Sequence, residues 1–122
     1  MTFQFQSIDH VQLAAPKGCE EKARKFYNGV LGFNEKEKPE GLKKNGGVWF
    51  QAGDIEIHIG VEDPFIPAKK AHPAFEINDL PSFLNHLDIS NVEYIKDDRL
   101  PGANRVYIFD PFGNRIEVLE WI

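Results

Sequence analysis

The chain has 122 residues, a formal net charge of −5, and 42% hydrophobic against 27% charged residues, which suits one globular domain with a real core and argues against a disordered chain. The negative charge and scattered lysines and arginines argue against a nucleic-acid partner, and no apolar run approaches the roughly 20 residues of a membrane span. Its one cysteine, Cys19, allows no internal disulfide, and with no secretory leader in residues 1–15 the expected location is the cytoplasm.

Residues 7–15 alternate as a strand, with Ile8, His10, Gln12 and Ala14 on one face and Val11 and Leu13 on the other. After Pro16 and Gly18, the apolar residues Ala23, Phe26, Tyr27, Val30 and Leu31 recur at helical spacing, and Gly32 is a plausible stop. Residues 33–46 are polar and punctuated by Pro39, Gly41 and Gly46, which predicts a short strand and a loop. "VWFQ" and "IEIHIG" flank "AGD" as hairpin arms. The second arm puts Ile55, Ile57 and Ile59 on one face and Glu56 and His58 on the other.

Pro64, Pro67 and Pro73 fall in a stretch without period, read as a connector. Beyond it come a strand ("HPAFEI"), a helix starting near Asn78-Asp79, a strand ("VEYI"), a loop, and two closing strands ("NRVYIF" and "NRIEVLEW"). The helix carries Pro81 in its first turn and the stripe Leu80, Phe83, Leu84 and Leu87. The expected organisation is one domain: a first module at about 6–62, a connector at about 61–71, and a second module at about 72–122.

The two halves align. Setting His10 over His72, and Phe50 over Phe109, brings His58 onto Glu117 without a gap. Histidine and glutamate are ligand types for a borderline divalent ion such as Zn²⁺, Ni²⁺, Fe²⁺ or Mn²⁺. Any one of these residues alone is more readily a hydrogen-bonded or surface side chain. Their joint occurrence at matched positions of a repeat is what points to a metal. His86 lies off its helix stripe, matches nothing in the repeat, and is assigned to solvent.

Taken together, "DHVQLAA", "FYNGVLGF", "VWFQAGDIEIHIG", "HPAFEI" and "IFDPFGNRIEVLEW" resemble the vicinal oxygen chelate superfamily, which includes glyoxalases, extradiol dioxygenases and bleomycin resistance proteins. The resemblance implies an α+β fold of two βαβββ modules forming a U-shaped, cleft-like mixed sheet with helices outside. It implies a divalent metal on His10, His58, His72 and Glu117, with Glu56 as the fallback for His58. Glu117 and His58 are the implied catalytic residues: the first anchors the ion, and the second completes the set or moves a proton. The implied chemistry is capture of a small-molecule substrate through two adjacent oxygens, in a glyoxalase-like lyase or an extradiol-type dioxygenase. Trp49, Phe50, Arg105, Tyr107 and Phe112 are the candidate pocket residues. A homodimer is implied, since modules from two chains build each site in many relatives. The alternative is a metal-free antibiotic-binding protein of the bleomycin-resistance type.

Overall fold

Alternation decides the strands, and a two-residue turn decides their register. The computed structural model describes residues 2–122. Strand β1 (Val11–Ala15) leads into a helix, α1 (Glu20–Ala23), that continues as a π-helical stretch, Arg24–Val30. The wider winding shows in Leu31, whose N–H reaches back five residues to the Phe26 carbonyl at 2.9 Å. Gly32, in the left-handed region at φ 78°, ends it, and the Phe33 N–H caps the Tyr27 carbonyl at 2.9 Å. The predicted stripe holds: Ala23, Phe26 and Tyr27 are buried, and Val30 and Leu31 pack beside them.

Strand β2 (Asn34–Lys36), a short helix α2 (Glu40–Lys43), and the hairpin β3 (Val48–Ala52) and β4 (Ile55–Val61) complete the first half. The helix α2 stands where the sequence reads only as loop. In the sheet the order is β1-β4-β3-β2, with β1 parallel to β4 and the other pairs antiparallel. The Gly53-Asp54 turn pairs Ala52 with Ile55, which sets Trp49 opposite His58 and Phe50 opposite Ile57.

The second half repeats the design. Its elements are β5 (Ala74–Glu76), α3 (Leu80–Ile89), β6 (Ile95–Asp97), β7 (Ala103–Phe109) and β8 (Arg115–Trp121). The sheet order β5-β8-β7-β6, with β5 parallel to β8, matches the first sheet strand for strand. The register matches too. Gln12 lies opposite His58 as Ala74 lies opposite Glu117, and Trp49 faces His58 as Tyr107 faces Glu117. Asp79 caps α3, its side chain accepting the Ser82 N–H at 3.1 Å. The sixth strand starts three residues later than "VEYI" suggests.

The chain is thus α+β, two four-stranded mixed sheets built on one plan. Both share one core, in which Phe26 and Tyr27 meet Phe50, Ile57 and Ile59 from the first sheet and Ile108, Ile116 and Val118 from the second, with Leu80 and Leu87 of α3. A buried polar junction ties the halves together. Asp110 accepts the Tyr27 hydroxyl at 2.7 Å, and Asn114 Nδ2 donates to the Ala14 carbonyl at 2.8 Å. Among the described residues no helix is long and apolar enough to cross a membrane.

Candidate functional site

Each sheet turns one face to the shared core and leaves the other open, and the candidate site residues divide between the two open faces. On the first, alternation along β4 sets Glu56, His58 and Gly60 together, opposite to Ile57 and Ile59. The His58 ring lies between two others: Trp49 stacks on it at 3.7 Å and 3° between planes, and His10 at 4.0 Å and 14°. It is buried, 5% exposed, and its Nε2 donates to Glu56 Oε2 at 2.7 Å. The other Glu56 oxygen accepts from Lys36 Nζ at 2.9 Å. Lys36 first, and His58 second, hold the Glu56 carboxyl below the usual carboxylate range. His10 Nδ1 meets the Asp9 carboxylate at 2.9 Å, which leaves its Nε2 without a hydrogen bond among the described residues.

On the second open face stands Glu117, 6% exposed. The parity of β8 explains it: Ile116 and Val118 take the core side, so Glu117 faces away from the core yet is covered by its neighbours. Its Oε1 lies 3.0 Å from His72 Nε2, and its Oε2 accepts from Arg105 Nη1 at 3.4 Å. His72 Nδ1 donates to the Lys70 carbonyl at 2.6 Å. Because the Lys70 carbonyl can only accept, Nδ1 carries its proton there, and Nε2 is left as the ring nitrogen that meets Glu117, the arrangement in which a metal-ligating histidine is anchored from its far side. Arg105 also reaches Asp97 Oδ1 at 3.4 Å. Tyr107, directly across from Glu117, packs edge-on to His72 at 5.4 Å.

The structure therefore assembles the expected ligands as two pairs, His10 with His58 and His72 with Glu117. Among the described residues no group of three or more His, Cys, Asp or Glu side chains is arranged to hold a metal within one chain. The sequence leaves open whether one chain or two supplies the four candidate ligands; the fold sets them as two pairs because the two halves share a core through their other faces. Of the candidate pocket residues, Trp49, Arg105 and Tyr107 lie on the open faces. Phe50 is fully buried in the core, as its pairing with Ile57 dictates, and Phe112 packs against that core. Exposed His86 is tied down: its Nε2 donates to the Val30 carbonyl at 2.7 Å. Sequence reasoning passed over Gln12, Asp97 and Arg115 as site neighbours. Strand parity was the available signal, since Gln12 follows His10 by two residues and Arg115 precedes Glu117 by two.

Carboxylates that folding holds below their ordinary range, Asp97 and Glu20 among them, give the fold a pH dependence. Asp97 is held well below the usual carboxylate range, chiefly by hydrogen bonds from Arg99. Glu20 is lowered mainly by the Gly47 N–H at 2.8 Å. Groups lowered by folding add stability that is present in full above their unfolded values of about 4 and is lost as pH falls through the folded ones. The melting temperature is expected to drop as pH is taken from about 5 to about 3, with the Glu20→Gln variant less sensitive over that range. An identical acid profile for parent and variant would remove Glu20 from the account.

The Glyoxalase/Bleomycin resistance protein/Dioxygenase superfamily model matches residues 7–118. No curated protein matches the chain. Among solved structures, a glyoxalase family protein from Bacillus anthracis is 52% identical over 100% of both chains, with a TM-score of 0.97. Two more distant structures share the fold. The lactoylglutathione lyase from Agrobacterium tumefaciens is 24% identical, covering 93% of this chain and 92% of that one at a TM-score of 0.72. The genomically encoded fosfomycin resistance protein FosX from Listeria monocytogenes is 16% identical, covering 98% and 96% at 0.77.

Proposed function

Because the chain belongs to the Glyoxalase/Bleomycin resistance protein/Dioxygenase superfamily, we propose that it is a metal-dependent enzyme acting on a small molecule with two adjacent oxygens. The observation that carries this reading is the His72–Glu117 pair. An imidazole nitrogen and a buried carboxylate oxygen 3.0 Å apart are donors of the kind that would hold a divalent ion. The Lys70 carbonyl and Arg105, which fix the far sides of these two side chains, supply the outer support such ligands need.

His72 and Glu117 of one chain would hold the ion, and His10 and His58 of a second copy would complete the set, so the working unit is a homodimer. The donor chemistry, three imidazoles and one carboxylate, suits Zn²⁺, Ni²⁺, Fe²⁺ or Mn²⁺. When bound, the ion supplies Lewis acidity to the substrate oxygens. The chain supplies the rest. Trp49 and His10 clamp the faces of His58, leaving only its edge free for bonding. Glu56, kept anionic by Lys36, holds the His58 Nε2 proton. Nδ1 is then the one His58 nitrogen left: it would complete the ion's donor set or, displaced from the ion, accept and return a proton. A glyoxalase-like lyase and an extradiol-type dioxygenase are the two reaction classes this serves.

Equilibrium dialysis against Zn²⁺, Ni²⁺, Fe²⁺ and Mn²⁺, with sedimentation of the loaded protein, tests the reading. Uptake of about one equivalent of ion per chain by a dimer is expected. A metal-free binding module is the second reading, favoured by the split of the donors within one chain. Absence of uptake with every ion decides for it.

A further inference from the structure

A cavity of about 480 Å³ opens between β1 and the connector, of a size that takes a small metabolite. Phe65 and Ile66 give it an apolar wall, and its polar lining comes from Gln12, Glu62, His72, Asn114 and Arg115. Arg115 stands apart from the other arginines. Arg24 pairs with Glu21 and Glu35, Arg99 with Asp97, and Arg105 with Asp97 and Glu117. Arg115 has no ion pair or hydrogen bond from its guanidinium among the described residues, although it is half-buried. What holds it is Tyr107, with the guanidinium carbon 3.9 Å from the ring centroid. The same ring meets His72 edge-on at 5.4 Å. Tyr107 therefore sets an unpaired guanidinium beside a proposed metal ligand, and both line one cavity.

A half-desolvated guanidinium without an anion is unfavourable unless a ligand supplies one. Glu62 borders the same cavity but is exposed, so water screens its charge. We infer that Arg115 anchors a carboxylate of the substrate, whose hydrocarbon part lies against Phe65 and Ile66. The substrate class is then an oxygenated carboxylic acid with an apolar body. This rests on the proposed function only in that the same molecule's adjacent oxygens would meet the ion at His72. The guanidinium fork matches a carboxylate through two parallel hydrogen bonds, which a lysine at this position cannot reproduce.

Mandelate and mandelamide separate charge from shape, being close in size and alike in carrying neighbouring oxygens. Calorimetric titration of each into the metal-free protein is the experiment, because a bound ion would itself favour the mandelate carboxylate. In the parent, mandelate is expected to bind about tenfold or more tightly than mandelamide. Arg115→Met removes that preference, leaves mandelamide binding unchanged, and keeps the metal content of the parent. Arg115→Lys, which retains the charge, falls between them and stands in if the methionine variant does not fold. No mandelate binding by the parent, equal affinity for the two probes, or undiminished mandelate binding by a folded Arg115→Met protein would overturn the inference. A preference that depends on Arg115 in protein that takes up no metal would leave this inference standing and sink the metal reading alone.

Discussion

Asp110→Ala is expected to lower the unfolding free energy by about 3–5 kcal/mol, a large share of the roughly 5–15 kcal/mol typical of a domain. Asp110 is 5% exposed and accepts four hydrogen bonds: from the Tyr27 hydroxyl at 2.7 Å, the Asn114 N–H and side-chain amide at 2.8 Å each, and the Phe112 N–H at 2.9 Å. Removing the carboxylate strands those donors, of which Tyr27 and Asn114 are buried, and each stranded buried group costs about 1–3 kcal/mol. Tyr27→Phe deletes only one donor and leaves the carboxylate with three, so about 1 kcal/mol is expected there. Burial first, and the neighbouring Asp110 charge second, push the Tyr27 phenol far above its ordinary range, which keeps it a donor throughout the accessible pH range. Denaturant midpoints at constant slope measure both variants. An Asp110→Ala midpoint no lower than that of Tyr27→Phe would mean that the junction contributes little beyond one bond.

That junction shows where the sequence was readable and where it was not. The two-residue Gly53-Asp54 turn that sets Trp49 opposite His58 lies hidden inside "AGD", whose Ala52 belongs to the strand, whereas the strand and helix plan followed from local periodicity. The match of His58 to Glu117 was legible because two copies of one plan carry equivalent residues at equivalent register. Phe50 was readable as well, since it neighbours Trp49 in one strand and must face the other way. The contact of Tyr27 with Asp110, 83 residues apart, left no local trace. Nor did the way the two sheets share a core, and that arrangement divides the four candidate ligands into two pairs. Periodicity states which face a side chain takes, not what the face meets. The short helix α2 was hidden because its four residues give too little pattern to register.

Replacing Glu117 by Gln is expected to weaken metal uptake by more than about a hundredfold, since changes to groups that merely support a ligand already cost about 10–100-fold. The fold should survive the change. Glutamine keeps the volume of the buried side chain, and its surroundings dictate how the amide turns. Arg105 Nη1 on one side can only donate, so the amide oxygen faces it; the NH₂ then faces His72 Nε2, whose lone pair accepts because Nδ1 is engaged with the Lys70 carbonyl. Both neighbours stay satisfied, and what is lost is the negative charge that an ion requires and Arg105 partly uses. Metal-free parent and variant should therefore melt within a few degrees of one another, a difference of about 1 kcal/mol. Added ion separates them. At a hundred times its dissociation constant it stabilises the parent by about 2.7 kcal/mol, while the variant gains almost nothing at the same concentration. His86→Asn, remote from both ligand pairs, serves as the control that should respond to metal as the parent does. A Glu117→Gln protein whose melting temperature rises with Zn²⁺ as steeply as the parent's would take Glu117 out of the metal site.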